Sequence, residues 1–193
     1  MIKIGITGGI GSGKSVVSKL FEIMGIPVYI ADIEAKKITA SSPEIKKQLT
    51  ALFGEDLYSD GMLNKQRFAS MIFNDKKALE QANGIIHPEV RKDFNRWAER
   101  QKKPVVAIET AILLEAGFEK ETDRVIVVTA PVDLRVFRVV KRDKMPEEKV
   151  EERMNNQLSD NERIMYADDV IVNDDKTPVI PQVLKIFKQI AGY

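Results

Sequence analysis

Residues Gly8-Gly9-Ile10-Gly11-Ser12-Gly13-Lys14-Ser15 fit the pattern Gly-x-x-x-x-Gly-Lys-Ser in full, and that order of residue types builds an anion site. Glycines let backbone N–H groups curl around phosphate oxygens at dihedrals that a β-carbon would oppose. The helix expected from Lys14 turns its unpaired N–H groups and positive end toward the same anion. Lys14 is then placed to reach the β- and γ-phosphates of ATP, and the Ser15 hydroxyl to ligate Mg²⁺. Val16, in the same first turn, joins Gly8, Gly9, Gly11, Ser12 and Gly13 among the expected ATP contacts. A dinucleotide fingerprint on these glycines fails, because it would need glycine where Lys14 or Val16 stands.

A phosphate cradle needs partners, and the charged residues offer three groups of them. Asp32 directly follows the apolar run Val28-Tyr29-Ile30-Ala31. If its strand neighbours the first in parallel, Asp32 lies on the same sheet edge as the cradle, where it could accept a proton from an attacking hydroxyl or hold a water on Mg²⁺. The competing reading is an N-cap for the helix beginning at Ile33. Glu109 ends a further apolar run and is open to the same two readings, near the metal or capping a turn. Arg135, Arg138 and Arg142 share one helix face, as do Arg153 and Gln157. Arginine suits phosphate through its planar, permanently charged fork, and a solvated basic face is the alternative. Arg142 is expected to touch phosphate, with the segment around Lys144-Met145-Pro146 closing as a lid.

The elements that position these groups alternate. Ile2 to Thr7 reads as a buried strand ending at the glycines. Val16, Val17, Leu20, Phe21 and Met24 then recur at helical spacing until Gly25 stops the helix. Pro27 to Ala31 is the second strand, Val105 to Glu109 the third, Val125 to Thr129 the fourth and Val170 to Val172 a fifth. Residues 33 to 102 are more polar and mostly helical, with breaks at Ser42-Pro43, Gly54, Asp60-Gly61 and His87-Pro88. Helices are expected over 132–142, 147–157 and from Pro178 to about Ile190. The class is α/β: a parallel sheet of about five strands covered on both faces, with a helical substrate-binding insertion.

Composition excludes several chemistries. With no cysteine and one histidine, disulfides, thiolate catalysis and multi-histidine metal sites are out. A net charge of +1 gives no electrostatic case for nucleic acid or an anionic membrane. No apolar run approaches a membrane span and no address signal is legible, so the expected location is the cytoplasm and no obligate protein partner is indicated. A regulatory GTPase would carry Asp-x-x-Gly and Asn-Lys-x-Asp. None of the 11 glycines has Asp three residues earlier, and Asn64-Lys65 continues Gln66-Arg67.

The chain resembles the dephospho-coenzyme A kinase family along essentially its whole length. The likeness is carried by Gly5 to Ser15, by Gly25-Ile26-Pro27-Val28 ending in Ala31-Asp32, and by Ile85-Ile86-His87-Pro88-Glu89-Val90-Arg91. Ala111 to Gly117, Arg138 with Arg142-Asp143, Arg153 with Gln157, and Ala167-Asp168 with Asn173 follow in the same order. The resemblance implies the P-loop nucleoside-triphosphate-hydrolase-type three-layer fold, with a core over about 1–32 and 104–193, a helical acceptor-binding lobe over about 33–103 and a lid over about 142–158. It implies ATP and dephospho-coenzyme A as substrates, with phosphate delivered to the ribose 3′-hydroxyl, and Asp32 as general base. Lys36, His87, Arg91 and Glu115 become acceptor-site candidates beside Asp32, and Asn173 an ATP contact near the adenine. For His87 the residues alone favour a packed or turn histidine. The chain departs from the family pattern at Ile30, where Asp is frequent, at Ala111, where Pro is usual, and at Arg135, where Gln is common.

Overall fold

The computed structural model describes residues 1–59, 61–73 and 75–192. Asp60, half of the expected Asp60-Gly61 break, lies outside them. In chain order the elements are β1 (Ile2–Thr7), α1 (Lys14–Ile23), β2 (Val28–Ile30), α2 (Ala31–Ser41), α3 (Pro43–Phe53), β3 (Tyr58–Ser59), β4 (Met62–Leu63), α4 (Lys65–Phe73) and α5 (Lys76–Arg100). There follow β5 (Val105–Glu109), β6 (Arg124–Thr129), α6 (Val132–Asp143), α7 (Glu147–Asn155), α8 (Asp160–Ile164), β7 (Asp169–Val172) and α9 (Val179–Ala191). The chain divides into two compact units, Met1–Ile30 with Ala98–Tyr193, and Ala31–Trp97.

The first unit is built on a five-stranded sheet in the order β2-β5-β1-β6-β7, every neighbouring pair parallel. The near-continuous apolar runs of β1, β5 and β6 belong in its middle, because helices and loops bury such a sheet on both faces. Val17 and Phe21 of α1 and Val183, Ile186 and Ile190 of α9 pack against Ile4, Ile6, Ala107, Ile126, Val128 and Ile171 on one face. On the other, a β-carbon added to Gly5 would sit 2.9 Å from the Leu113 side chain, so glycine there lets the segment after β5 lie close.

Two sequence expectations are corrected here. The first and second strands are not neighbours, because β5 runs between them. The third strand's apolar run is the more completely buried, with all five residues inside, and the short, half-buried β2 takes the sheet edge. Ala31, expected to end β2, instead starts α2, so Asp32 stands in that helix's first turn and is not its N-cap.

Helix α1 stops where glycine demands it. The Gly25 N–H reaches the Glu22 carbonyl and the Ile26 N–H the Phe21 carbonyl, with Gly25 at φ 85°, a Schellman ending. Phe21 is fully buried. Phe21→Ala is expected to cost about 3–5 kcal/mol, read as the change in urea unfolding free energy.

The second unit contains α2 to most of α5 around Ile45, Leu49, Leu57, Tyr58 and Ala82. Its two-stranded ribbon β3-β4 was not anticipated, although Asp-Gly between short apolar stretches is a hairpin signal. The break expected at His87-Pro88 is absent as well: α5 passes through Pro88. Proline forfeits the bond to the Gly84 carbonyl and its ring crowds that carbonyl, a cost of about 3 kcal/mol. Ala82 before it and Val90 and Phe94 after it continue one buried face, and packing of that face outweighs the cost of the proline.

Candidate functional site

The phosphate loop connects β1 to α1, as the motif requires. Its backbone is folded by local bonds, with the Ser12 N–H on the Gly9 carbonyl at 3.1 Å and the Val16 N–H on the Gly13 carbonyl at 2.9 Å. Lys14 and Ser15 open α1. The Ser12 side chain is fully buried beneath the loop, so this residue contributes backbone to the cradle while its hydroxyl faces inward. The Val16 side chain points to solvent at 55% exposure.

Glu109, at the end of β5, is the carboxylate the fold brings to this loop. The Ser15 hydroxyl donates to its Oε1 at 3.0 Å, and Glu109 is only 5% exposed. The interposed strand thus gives the second acidic candidate a seat beside the residue expected to ligate metal. Hard oxygen donors of this kind suit Mg²⁺, which takes few protein ligands and keeps waters and phosphate oxygens. Among the described residues no group of three or more His, Asp or Glu side chains is placed to hold a metal ion.

The arginine row of α6 divides its work. Arg135, expected on an exposed or phosphate-facing row, is 5% exposed. Its Nε donates to the Ile10 carbonyl at 3.0 Å and its Nη1 to Asp160 at 3.0 Å. Arg138 donates to the Asn173 carbonyl at 3.0 Å and to Asp175 at 2.5 Å. Only Arg142 lies in the open, where its Nε donates to Asp143 at 2.7 Å and holds that carboxyl below the usual carboxylate range, with Arg153 adding to the effect. Arg142 stands seven residues, almost two full turns, beyond Arg135, so the two point nearly the same way and differ in position along the helix axis by about 10 Å. Beyond Lys144, left-handed at φ 52°, α7 folds back onto α6 through Val136, Val139 and Val150. The Ile10 N–H donates to Gln157 Oε1 at 2.9 Å, so the expected lid segment ends on the phosphate loop itself.

The dephospho-CoA kinase family model matches residues 2–178. A dephospho-CoA kinase of Bacteroides fragilis (strain YCH46) is 48% identical over 186 residues, covering 96% of this chain and 91% of its own. The chain belongs to the dephospho-CoA kinase family. It is a kinase, an ATP-dependent transferase acting on an alcohol group. A solved Thermus thermophilus protein matches with TM-score 0.83 at 31% identity over 99% of this chain and 96% of that one. A shikimate kinase from Acinetobacter baumannii matches with TM-score 0.55 at 17% identity over 100% and 94%, a likeness of fold that confirms the P-loop α/β architecture.

The remaining candidates of this kinase fall in two places. In the first unit, Glu115 accepts from the Leu158 N–H at 3.1 Å and from Arg163 at 3.2 Å. Arg163 is fully buried; it also donates to the Leu158 and Ala111 carbonyls, and its second carboxylate is Asp160 at 3.6 Å. Burial lowers the Arg163 pKa while Glu115 and Asp160 oppose that. The sequence reading gave Arg163 and Asp160 no part; Arg163 is one charge in a helix whose neighbours are polar, and nothing in its spacing marks it as buried. Arg135 is placed by sequence on a phosphate-facing or solvated row, although the buried Val139 four residues on is a signal that its face turns inward. In the second unit, Asp32 and Lys36 are exposed and one turn apart on α2, and His87 and Arg91 one turn apart on α5.

Burial, then the neighbouring Arg91 charge, holds His87 below its ordinary pKa of 6.5. In the window below 6.5 the unfolded chain therefore binds more protons at this site than the folded one. Stability is expected to fall as pH drops from about 7 into that window, and His87→Gln to flatten the slope, read as urea midpoints across the range. A slope unchanged by the substitution would contradict the assignment.

Proposed function

We propose that this kinase transfers the γ-phosphate of ATP to the 3′-hydroxyl of dephospho-coenzyme A, giving coenzyme A and ADP, with Asp32 as the general base. Membership of the dephospho-CoA kinase family over residues 2–178 is the observation that carries this reading. The phosphate loop, with Ser15 and Glu109 paired at 3.0 Å beside it, supports it chemically.

ATP lies with its phosphates in the loop, its oxygens on backbone N–H groups and on the Lys14 ammonium. Mg²⁺, bound with the nucleotide, would be held by the Ser15 hydroxyl with Glu109 as its outer hydrogen-bond partner, and would supply neutralisation of phosphate charge. Asp32 accepts the proton of the acceptor hydroxyl as the oxygen attacks the γ-phosphorus in line and the bond to the β-γ bridging oxygen breaks. Arg142 turns from Asp143 toward the phosphates and balances charge from the lid, residues 142–158. This proposal keeps catalysis in placement and electrostatics, and a lid that excludes water keeps water from competing as acceptor.

The acceptor lobe, about 33–103, is assigned the nucleoside end of the acceptor. Lys36, one turn beyond Asp32, and Arg91 are suited to its phosphates. His87, held neutral at pH 7 by its lowered pKa, serves as a hydrogen-bonding group and not as a charge. Glu115 can accept from the acceptor only through what its contacts to Arg163 and Leu158 leave open. A panel of dephospho-coenzyme A, shikimate, nucleosides and nucleoside monophosphates with γ-labelled ATP tests the substrate. The highest kcat/KM is expected for dephospho-coenzyme A, and transfer confined to another acceptor would overturn the reading.

A further inference from the structure

Side chains from three distant parts of the chain hold the phosphate loop by its backbone, from outside the Gly8–Ser15 segment. The Ile10 carbonyl accepts from Arg135 at 3.0 Å, the Gly11 carbonyl from Arg138 at 3.4 Å and the Ser12 carbonyl from Asn173 Nδ2 at 2.8 Å. Gln157 takes the Ile10 N–H at 2.9 Å. Within a planar trans peptide the carbonyl of one residue and the N–H of the next point in opposite directions. Pulling the Ile10 and Ser12 carbonyls outward therefore turns the N–H groups of Gly11 and Gly13 the other way.

The glycines fit the same purpose. A β-carbon on Gly13 would lie 2.0 Å from Asn173 Nδ2, and one on Gly9 2.0 Å from Arg135 Nη2. At these two positions the missing side chain makes room for the gripping groups, in addition to freeing the backbone dihedrals. The grip is itself secured. The Asn173 N–H continues the sheet by donating to the Thr129 carbonyl at 2.9 Å, and its Oδ1 accepts from Arg138 at 3.4 Å. Arg135 is buried against Asp160, which Arg163 also approaches. Both ends of the Asn173 side-chain amide are thus engaged by protein groups at the phosphate end of the site.

We propose that Asn173, Arg135 and Arg138 are positioning residues for the nucleotide phosphates: they aim the loop's N–H groups, and Asn173 acts through the Ser12–Gly13 peptide and not by contact with adenine. The inference rests on the reading that residues 8–15 hold nucleotide phosphates. It adds that the loop's shape is imposed from α6 and the end of β7, and is not a property of the glycine-rich segment alone. Preorganised donors of this kind hold their aim before the anion arrives, so their loss is felt in proportion to the phosphates the loop receives.

The experiment compares ADP and AMP, whose difference is the phosphate seated in the loop, by nuclear magnetic resonance titration of the full chain without Mg²⁺. Asn173→Ala removes the donor without adding charge. It is expected to weaken ADP roughly tenfold, and to leave AMP within about twofold, since 1.4 kcal/mol is a factor of ten. Arg135→Gln, which shortens the arm to the Ile10 carbonyl, is expected to show the same selectivity. Equal weakening of ADP and AMP by Asn173→Ala would overturn the proposal in favour of an adenine contact, and unchanged ADP affinity in both variants would overturn it outright. Wild-type protein that fails to prefer ADP over AMP would instead remove the phosphate-loop reading on which the proposal stands.

Discussion

Asp32→Asn is expected to lower kcat by roughly 10²–10⁴-fold, the usual contribution of a positioned general base, while the dissociation constant for ATP stays within about twofold. The substitution keeps the size and one acceptor oxygen of the side chain and removes the proton-accepting charge. Asp32 is exposed in the first turn of α2, so the fold gives up little beyond a helix-dipole contribution of about 0.3–1 kcal/mol. The separation of turnover from affinity is the informative part. A residue that merely supported α2 would shift melting temperature and leave kcat per folded molecule intact. Full turnover in this variant would take Asp32 out of the mechanism.

Lys14→Ala is expected to act on both constants. The ammonium is proposed to touch phosphates in the ground state and to balance charge as the γ-phosphoryl moves, so the KM for ATP rises and kcat falls by about 10²–10³-fold. Steady-state kinetics at several ATP concentrations separate the two effects. The contrast with Asp32→Asn divides the site into a side that binds nucleotide and a side that handles the acceptor's proton. Wild-type kinetics after Lys14→Ala would contradict the cradle.

The parts legible in the sequence are those set by local rules. The motif at residues 8–15 needs a strand before it and a helix after it, and β1 and α1 stand there. Apolar runs gave β5 and β6 because central parallel strands are buried on both faces, and Gly25 gave the end of α1. Strand order was not legible, since β2 and β5 differ in sequence mainly in how far their burial extends. The two-strand error matters for chemistry. It had Asp32 ending a strand beside the phosphate loop, whereas the neighbour on that side is β5, which brings Glu109 to Ser15.

Charged residues were harder to sort than apolar ones. Arg135, Arg138 and Arg142 follow one spacing rule, yet the first is buried against the loop backbone, the second is tied to Asn173 and Asp175, and only the third is exposed. What separates them is the identity of the acceptor each one meets, and that acceptor lies 25 or more residues away in sequence for the first two. The same holds for Arg163 of α8, fully buried, with Glu115, which stands 48 residues earlier and is still partly open to solvent. Pro88 shows the converse: a strong local breaker was overruled because the helix continues to bury Val90 and Phe94 beyond it. Sequence alone therefore marks, by motif, the groups proposed to meet substrate, and does not show which of the charged residues it names are tied to the loop backbone.

The central claim is the destination of the phosphate. The direct measurement incubates the pure protein with Mg²⁺, γ-labelled ATP and dephospho-coenzyme A, then isolates the product and locates the label by mass and phosphorus resonance. The account predicts one labelled phosphate on the ribose 3′-oxygen for each ADP formed. Label recovered only as inorganic phosphate, or attached at any other oxygen of the acceptor, would contradict it.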